Sequence, residues 1–270
     1  MSIKISVVIP AYNAEKYIVE TLESIRNQTV QPGEVIIIDD GSTDNTVQVV
    51  EDYINKTGYS IIKIHKSKFN GGIGMARQKG VNIARTSYIA YLSADDCYAP
   101  TFIEHSLALV KPNTATYTSY YQCNSLLESQ HVFRPPDFSR TSIIKWALEK
   151  NMYVNFSSII LPIWIFDKVT FEGSLRHGED LIFLLDTVIA GLQWRLVDEP
   201  LLFYRIHNKA GSFTQKREEF ELLWRYLRLR LQALDVPHQL INEAYKKSCR
   251  HAYPWYPRRL VSKLYHKVMA

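Results

Sequence analysis

An α/β protein with a mainly parallel central sheet flanked by helices is the fold class this sequence predicts, and three observations predict it. Short runs rich in Val, Ile and Tyr alternate, through about residue 92, with stretches whose apolar residues recur at helical spacing. Between them lie clusters of Gly, Asn, Asp, Ser or Pro, the residues that end strands and open helices. With 270 residues, 46% of them hydrophobic and 22% charged, the chain has the length and composition for a sizeable core. Strands that alternate with helices join through right-handed crossovers, which lay the strands parallel and cover both faces of the sheet.

Ile5-Ser6-Val7-Val8-Ile9 reads as the first strand, closed by Pro10, and Asn13 is placed to cap a helix from Ala14 with Ile18, Leu22 and Ile25 on one face. The second round has a strand from Glu34 to Ile38, the turn Asp39-Asp40-Gly41-Ser42, and a helix from about Thr43 carrying Val47, Val50 and Ile54. The third runs from Ser60–His65 through Asn70-Gly71-Gly72-Ile73-Gly74 into a helix from Met75 to Ala84. A fourth strand, Tyr88 to Leu92, ends in Ser93-Ala94-Asp95-Asp96, and Ala99-Pro100 stops it before a helix near Thr101. Farther on, Ala115–Tyr121 and Asn155–Leu161 extend the sheet, and Thr141–Lys150 reads as a helix. Leu181, Leu184, Leu185 and Val188 mark another helix, opened by His177-Gly178-Glu179-Asp180. From Arg217 a stripe of Phe220, Leu223, Trp224, Leu227, Leu231 and Leu234 is interleaved with Arg225, Arg228 and Arg230.

Several function classes are excluded on composition. No run approaches the roughly 20 apolar residues of a membrane span, since the best, Ile159 to Phe166, is short and carries Pro162. Met1 leads straight into a strand with no signal-peptide core, so a cytoplasmic protein is expected. Cys97, Cys123 and Cys249 are odd in number and far apart, which fits reduced thiols better than disulfides or a metal site. The net charge of +5 decides little.

Ligands of parallel α/β sheets bind outside the carboxyl ends of the strands, so one edge decides the chemistry. That edge receives Pro10-Ala11-Tyr12-Asn13, Asp39-Asp40-Gly41-Ser42, the glycine-rich segment and Ser93-Ala94-Asp95-Asp96. Tyr12 can line the flat face of a base, Asp40 can accept from a base N–H, and Asp95 with Asp96 can hold Mg²⁺ or Mn²⁺ on a diphosphate. The glycines leave backbone N–H groups accessible, and Arg77, expected in the first turn of the next helix, adds positive charge for phosphate. Each feature has a structural alternative in turn chemistry, capping or packing, and their convergence on one edge is what favours a site. No G-x-G-x-x-G follows the first strand and no G-x-x-x-x-G-K-[ST] occurs, which argues against Rossmann-type and P-loop nucleotide binding.

The blocks Val7-Val8-Ile9-Pro10-Ala11-Tyr12-Asn13, Ser24-Ile25-Arg26-Asn27-Gln28-Thr29, Val35 to Asp44, Asn70-Gly71-Gly72 with Ala76-Arg77, and Tyr91 to Asp96 together resemble family 2 glycosyltransferases, inverting sugar-nucleotide transferases with the GT-A fold. The resemblance covers roughly the first 100 residues. It implies Pro10, Tyr12 and Asp40 around the nucleotide base with Asp39 in the same turn, Arg77 near the nucleotide, and a divalent metal, Mn²⁺ or Mg²⁺, on Asp96 with Asp95. Ser93 departs from the Asp-x-Asp-Asp of many relatives. His177-Gly178-Glu179-Asp180 resembles the family's Glu-Asp block, which implies Asp180 as general base with Glu179 second, although two acids in a first helical turn also suit the helix dipole. Tyr204-Arg205-Ile206-His207 resembles the late Arg-x-His block, which implies His207 as a metal or diphosphate ligand and Arg205 as a phosphate contact.

The domain organisation expected is a GT-A unit over residues 1–210, divided into a donor half, 1–113, and an acceptor half, 114–210, followed by a helical basic-aromatic extension, 211–270. After Glu243 the chain has seven Lys or Arg and no acid, with Tyr253, Trp255, Tyr256, Leu260 and Leu264 among them. That mixture suits an anionic membrane surface carrying a lipid-linked acceptor, and it equally suits helices packed on the domain with a solvated basic face. Nucleic acid is not an expected partner, because nothing else matches a nucleic-acid module. The activity expected is transfer of a sugar from a UDP-sugar to a hydroxyl of a glycan or glycolipid in cell-surface polysaccharide synthesis; the alternative is a non-catalytic GT-A-like binding domain.

Overall fold

The computed structural model describes residues 4–149, 154–206 and 217–252. In chain order its elements are β1 (Ile5–Ala11), α1 (Ile18–Arg26), β2 (Glu34–Asp39), α2 (Thr46–Thr57), β3 (Ile62–Lys66), α3 (Ile73–Ile83), β4 (Tyr88–Tyr91), β5 (Cys97–Tyr98), α4 (Phe102–Leu109), β6 (Thr114–Cys123), β7 (Ser129–Phe133), α5 (Arg140–Glu149), β8 (Ile159–Pro162), α6 (Glu179–Ile189), β9 (Gln193–Arg205), α7 (Arg217–Ala233) and α8 (His238–Ala252). The sheet runs β3-β2-β1-β4-β8-β6-β9-β5, with β7 paired to β6. Its first four strands are parallel, as the alternating pattern requires. Beyond β4 it becomes mixed: β8 is antiparallel to β4 and β6, while β9 runs parallel to β6.

The two faces of the sheet bury alternate residues of each strand. Val7, Ile9, Val35 and Ile37 pack with Ile18, Leu22 and Ile25 of α1 and Val50 and Tyr53 of α2. Val8, Ile36 and Ile38 face α3 and a larger core that takes in α5, α6, α7 and α8. Burial on both sides is why these strands read as unbroken apolar runs. On α3, Gly80 has no room for a side chain, since a Cβ there would come within 2.2 Å of Val8 Cγ1, so this helix lies tight on β1. The predicted stripe of α7 is buried: Phe220, Leu223, Trp224, Leu227 and Leu231 are all in this core. Arg230 on the same helix is paired to Asp186 and Glu172.

Four local expectations are corrected by specific hydrogen bonds. Pro10 does not close β1, which continues to Ala11. Val8 bonds toward β4, so Pro10, two residues on, turns its N–H-less nitrogen to the same side, where the pairing with β4 has already ended at Val8. Asn13 does not cap a helix: it has φ 52°, its Oδ1 accepts from Thr43 N–H at 2.8 Å, and α1 begins only at Ile18. The helix expected from Thr43 begins at Thr46, whose N–H bonds the Asp44 carboxylate at 3.0 Å, and it buries Thr46, Val50 and Tyr53. Phe156–Ser158 is a turn of 3₁₀ helix, not strand, capped by Asn155, whose Oδ1 accepts from the Ser157 N–H at 2.8 Å.

Candidate active site

At the carboxyl end of β1 and β2 the two loops are stitched together. Asp40 N–H donates to Ala11 O at 2.8 Å, Asn13 N–H to Ser42 Oγ at 3.0 Å, and Thr43 N–H to Asn13 Oδ1. Pro10 sits in the strand below, and Tyr12 projects from the loop, half exposed at 49%. Asp39 and Asp40 are both buried. Asp39 receives the Ser42 N–H at 3.4 Å. Asp40 takes the N–H of Gly71 at 3.0 Å and of Gly72 at 2.7 Å, one on each oxygen, so it fixes the glycine-rich turn. A base N–H would have to share it with those amides.

Past β4, the Asp95-Asp96 turn is held from behind. Asp96 is 1% exposed; its Oδ2 accepts from Ser157 Oγ at 2.9 Å and its Oδ1 from Arg205 N–H at 3.0 Å. Burial, then the Asp95 charge, push its carboxyl well above the ordinary carboxylate range against those two bonds. Asp95 is partly exposed. Ser93, in the departing position, is tied to Ser157, N–H to Oγ at 3.1 Å and Oγ to Oγ at 3.0 Å. Arg205 is not a phosphate contact: it is 1% exposed, its Nε donates to Asp95 O at 2.7 Å, Nη1 to Ser125 O and Nη2 to Glu20, and Tyr17 lies 4.4 Å over its guanidinium. His207 lies outside the described residues.

The second carboxylate pair stands at the start of α6, after Gly178 in the left-handed region at φ 78°. Asp180 is partly buried and Glu179 is 4% exposed. Burial first, then the neighbouring Asp180, push the Glu179 carboxyl up to about 7, against the pull of Arg77. The raised proton affinity falls on Glu179, the residue the resemblance put second as base. Arg77 is in the second turn of α3, not the first, and faces inward: it is 5% exposed with Nη1 3.1 Å from Glu179 Oε1. Sequence reasoning missed Ser157, which orients both Ser93 and Asp96, and Arg176, whose Nη1 donates to Asn70 Oδ1 at 3.0 Å across the two halves. Arg176 stands three residues before Glu179 and carried that positional signal; Ser157 carried none.

Two adjacent carboxylates, one of them partly exposed, suit a hard divalent cation that also takes diphosphate and water oxygens. Each Asp96 oxygen retains a second lone-pair site beyond its hydrogen bond. The donor set fits a cation that takes its remaining ligands from diphosphate and water, since among the described residues no group of three or more His, Cys, Asp or Glu is placed to hold a metal ion.

The glycosyl transferase family 2 model matches residues 6–157, more than half of the chain. The chain belongs to that family. The chain is 28% identical over 220 residues to a glycosyltransferase of Methanocaldococcus jannaschii, covering 80% of this chain and 75% of the relative. It is likewise 28% identical over 244 residues to the glycosyltransferase GlyG of Streptococcus pneumoniae, covering 83% and 76%. Among solved structures, S. aureus TarS residues 1–349 in complex with UDP-GlcNAc superposes with a TM-score of 0.70 at 21% identity, covering 94% of this chain and 73% of that one. The fold is therefore GT-A-like, with a curled mixed sheet, and the protein is a glycosyltransferase. No helix among the described residues is long and apolar enough to cross a membrane.

Proposed function

We propose that this protein is an inverting transferase that moves a sugar from a UDP-sugar to a hydroxyl of a glycan or lipid-linked acceptor. The observation that carries the reading is the pairing, on one edge of the sheet, of a carboxylate turn suited to a metal-diphosphate with a separate carboxylate pair at the α6 N-terminus. Tyr12 and Asp39, with Pro10 beneath, border the base; Asp40 acts by holding the Gly71-Gly72 turn against it. The UDP and UDP-GlcNAc bound by the TarS structures favour uridine over other bases.

Asp95 and Asp96 would hold the divalent cation, which when bound neutralises charge on the departing diphosphate. Asp180 takes the proton of the acceptor hydroxyl as that oxygen attacks the anomeric carbon from the face opposite the diphosphate. One displacement inverts the centre, through an oxocarbenium-like transition state. Glu179 is the less accessible of the pair and is paired to Arg77, which leaves Asp180 as the base. The basic-aromatic stretch after residue 252 provides an electrostatic reason for a lipid-linked acceptor at an anionic surface.

The test is calorimetric titration of UDP, GDP, dTDP and CDP, with and without Mn²⁺, followed by UDP release from a panel of UDP-sugars. Binding of UDP that strengthens with Mn²⁺ and is lost in Asp96→Ala is the expected result. Failure of all four nucleotides to bind would overturn the UDP-sugar donor assignment.

A further inference from the structure

The guanidinium of Arg77 is enclosed by aromatic rings. Its centre lies 4.2 Å from the Phe156 ring and 5.9 Å from both Tyr91 and Phe171. The same rings continue into α6: Phe171 stacks on Phe183 at 4.4 Å, and Phe156 meets Phe183 at 5.6 Å. Among the described residues Arg77 makes one side-chain hydrogen bond, from Nη1 to Glu179, and its buried Nε finds no acceptor. With its Nε unpaired, the rings, through cation–π attraction, carry much of its placement. One turn earlier on α3, Gly74 completes the enclosure: a Cβ there would lie 3.1 Å from Glu179 Cγ. Glu179 is thus pinned between Gly74 and Arg77, and the next residue is Asp180.

From this we infer that Arg77 is a positioning residue for the α6 carboxylates and not a contact to the sugar nucleotide: held in its aromatic cage, it fixes Glu179 and so aims Asp180 at the acceptor hydroxyl. The inference rests on the proposed role of Asp180. It separates two neighbouring tasks. The Asp40-bound Gly71-Gly72 turn before α3 serves the donor; Gly74 and Arg77 on the helix serve the base.

The experiment compares wild type with Arg77→Gln, Arg77→Lys and Gly74→Ala, measuring UDP affinity by calorimetry with Mn²⁺, and kcat and KM for the UDP-sugar that turns over in the panel. UDP affinity should stay within about twofold in all three, since a group that does not touch the donor cannot change its binding directly. The kcat should fall tenfold or more in Arg77→Gln, with donor KM little changed, and should recover in part in Arg77→Lys, which restores a cation to Glu179. Gly74→Ala crowds the Glu179 side chain and also reaches Phe171 Cβ at 3.5 Å, leaves the Arg77–Glu179 pair in place and favours helix, so it should fold and show a smaller loss in kcat; it decides the matter where the Arg77 variants do not fold. A tenfold loss of UDP affinity in Arg77→Gln at unchanged kcat would overturn the inference and make Arg77 a donor contact. Unchanged kcat in Gly74→Ala would also overturn it. Failure of the underlying reading looks different, because Asp180→Asn would then keep wild-type transfer.

Discussion

Two buried arginines stand behind the two carboxylate pairs of this glycosyltransferase, and they are satisfied very differently. Arg205 spends its side-chain donors on two backbone carbonyls and Glu20, while its own N–H holds Asp96. Arg77 has one hydrogen bond, three aromatic rings and an orphaned Nε. Bonds to main-chain oxygens fix a turn, because they can be exchanged only by moving the backbone. Bonds to one side chain fix only that side chain. The Asp95-Asp96 turn is therefore built as a rigid mount, and the Glu179-Asp180 pair as an aimed one.

The sharpest way to separate the two pairs is at their exposed members. Asp180→Asn should reduce transfer by roughly 10²–10⁴-fold, the usual worth of a general base, while UDP affinity is kept; equal loss of both would erase the division of labour. Stability should distinguish the arginines themselves. Arg205→Met leaves the Asp95 and Ser125 carbonyls without their donor, at about 1–3 kcal/mol each in urea denaturation, while Glu20, 55% exposed, is left to water. Arg77→Met should cost less below pH 7, because Glu179 can take up a proton and leave no buried charge. Equal losses would show that the contrast in bonding has no energetic content.

Asp96→Ala should weaken Mn²⁺-dependent UDP binding about tenfold or more, and should lower stability by about 1–3 kcal/mol through the unpaired Arg205 N–H and Ser157 hydroxyl. A variant as stable as wild type would mean that those bonds contribute nothing to the mount. A further test is a pH dependence. Folding raises the Glu179 carboxyl from its ordinary 4.5 to about 7, so the folded state binds the extra proton. Its contribution is complete below about pH 4.5 and is lost as pH rises through about 7, by at most about 1.4 kcal/mol per pH unit. Glu179→Gln should flatten that part of the stability curve between pH 5 and 8, and an unchanged slope would assign it to another group.

The parallel half of the fold was legible because Val, Ile and Tyr runs buried on both faces leave an unbroken apolar signature, and helices α1 to α3 carry a 3.6-residue period. The boundaries were not, for reasons tied to particular side chains. Asn13 looks like a cap, but its amide is claimed by Thr43, 30 residues away. Asn155 looks like the start of a strand, yet its side chain bends the backbone locally. Of the candidate site, the turns carrying Asp39, Asp40, Asp95 and Asp96 were found from strand-end chemistry, and Glu179 and Asp180 from resemblance. Which way each carboxylate faces could not be read, since that depends on Ser157, Arg205 and the glycine amides, which are distant in sequence and whose pairing with a given carboxylate is set by the fold.

By itself the sequence determined the layered α/β architecture, the family, and the edge on which its acids gather, since periodicity and strand-end residues are local properties that burial enforces. Only the tertiary structure decided that Arg77 and Arg205 turn inward. A guanidinium goes where acceptors and ring faces meet it, and most of those are assembled from segments about 80 to 185 residues away.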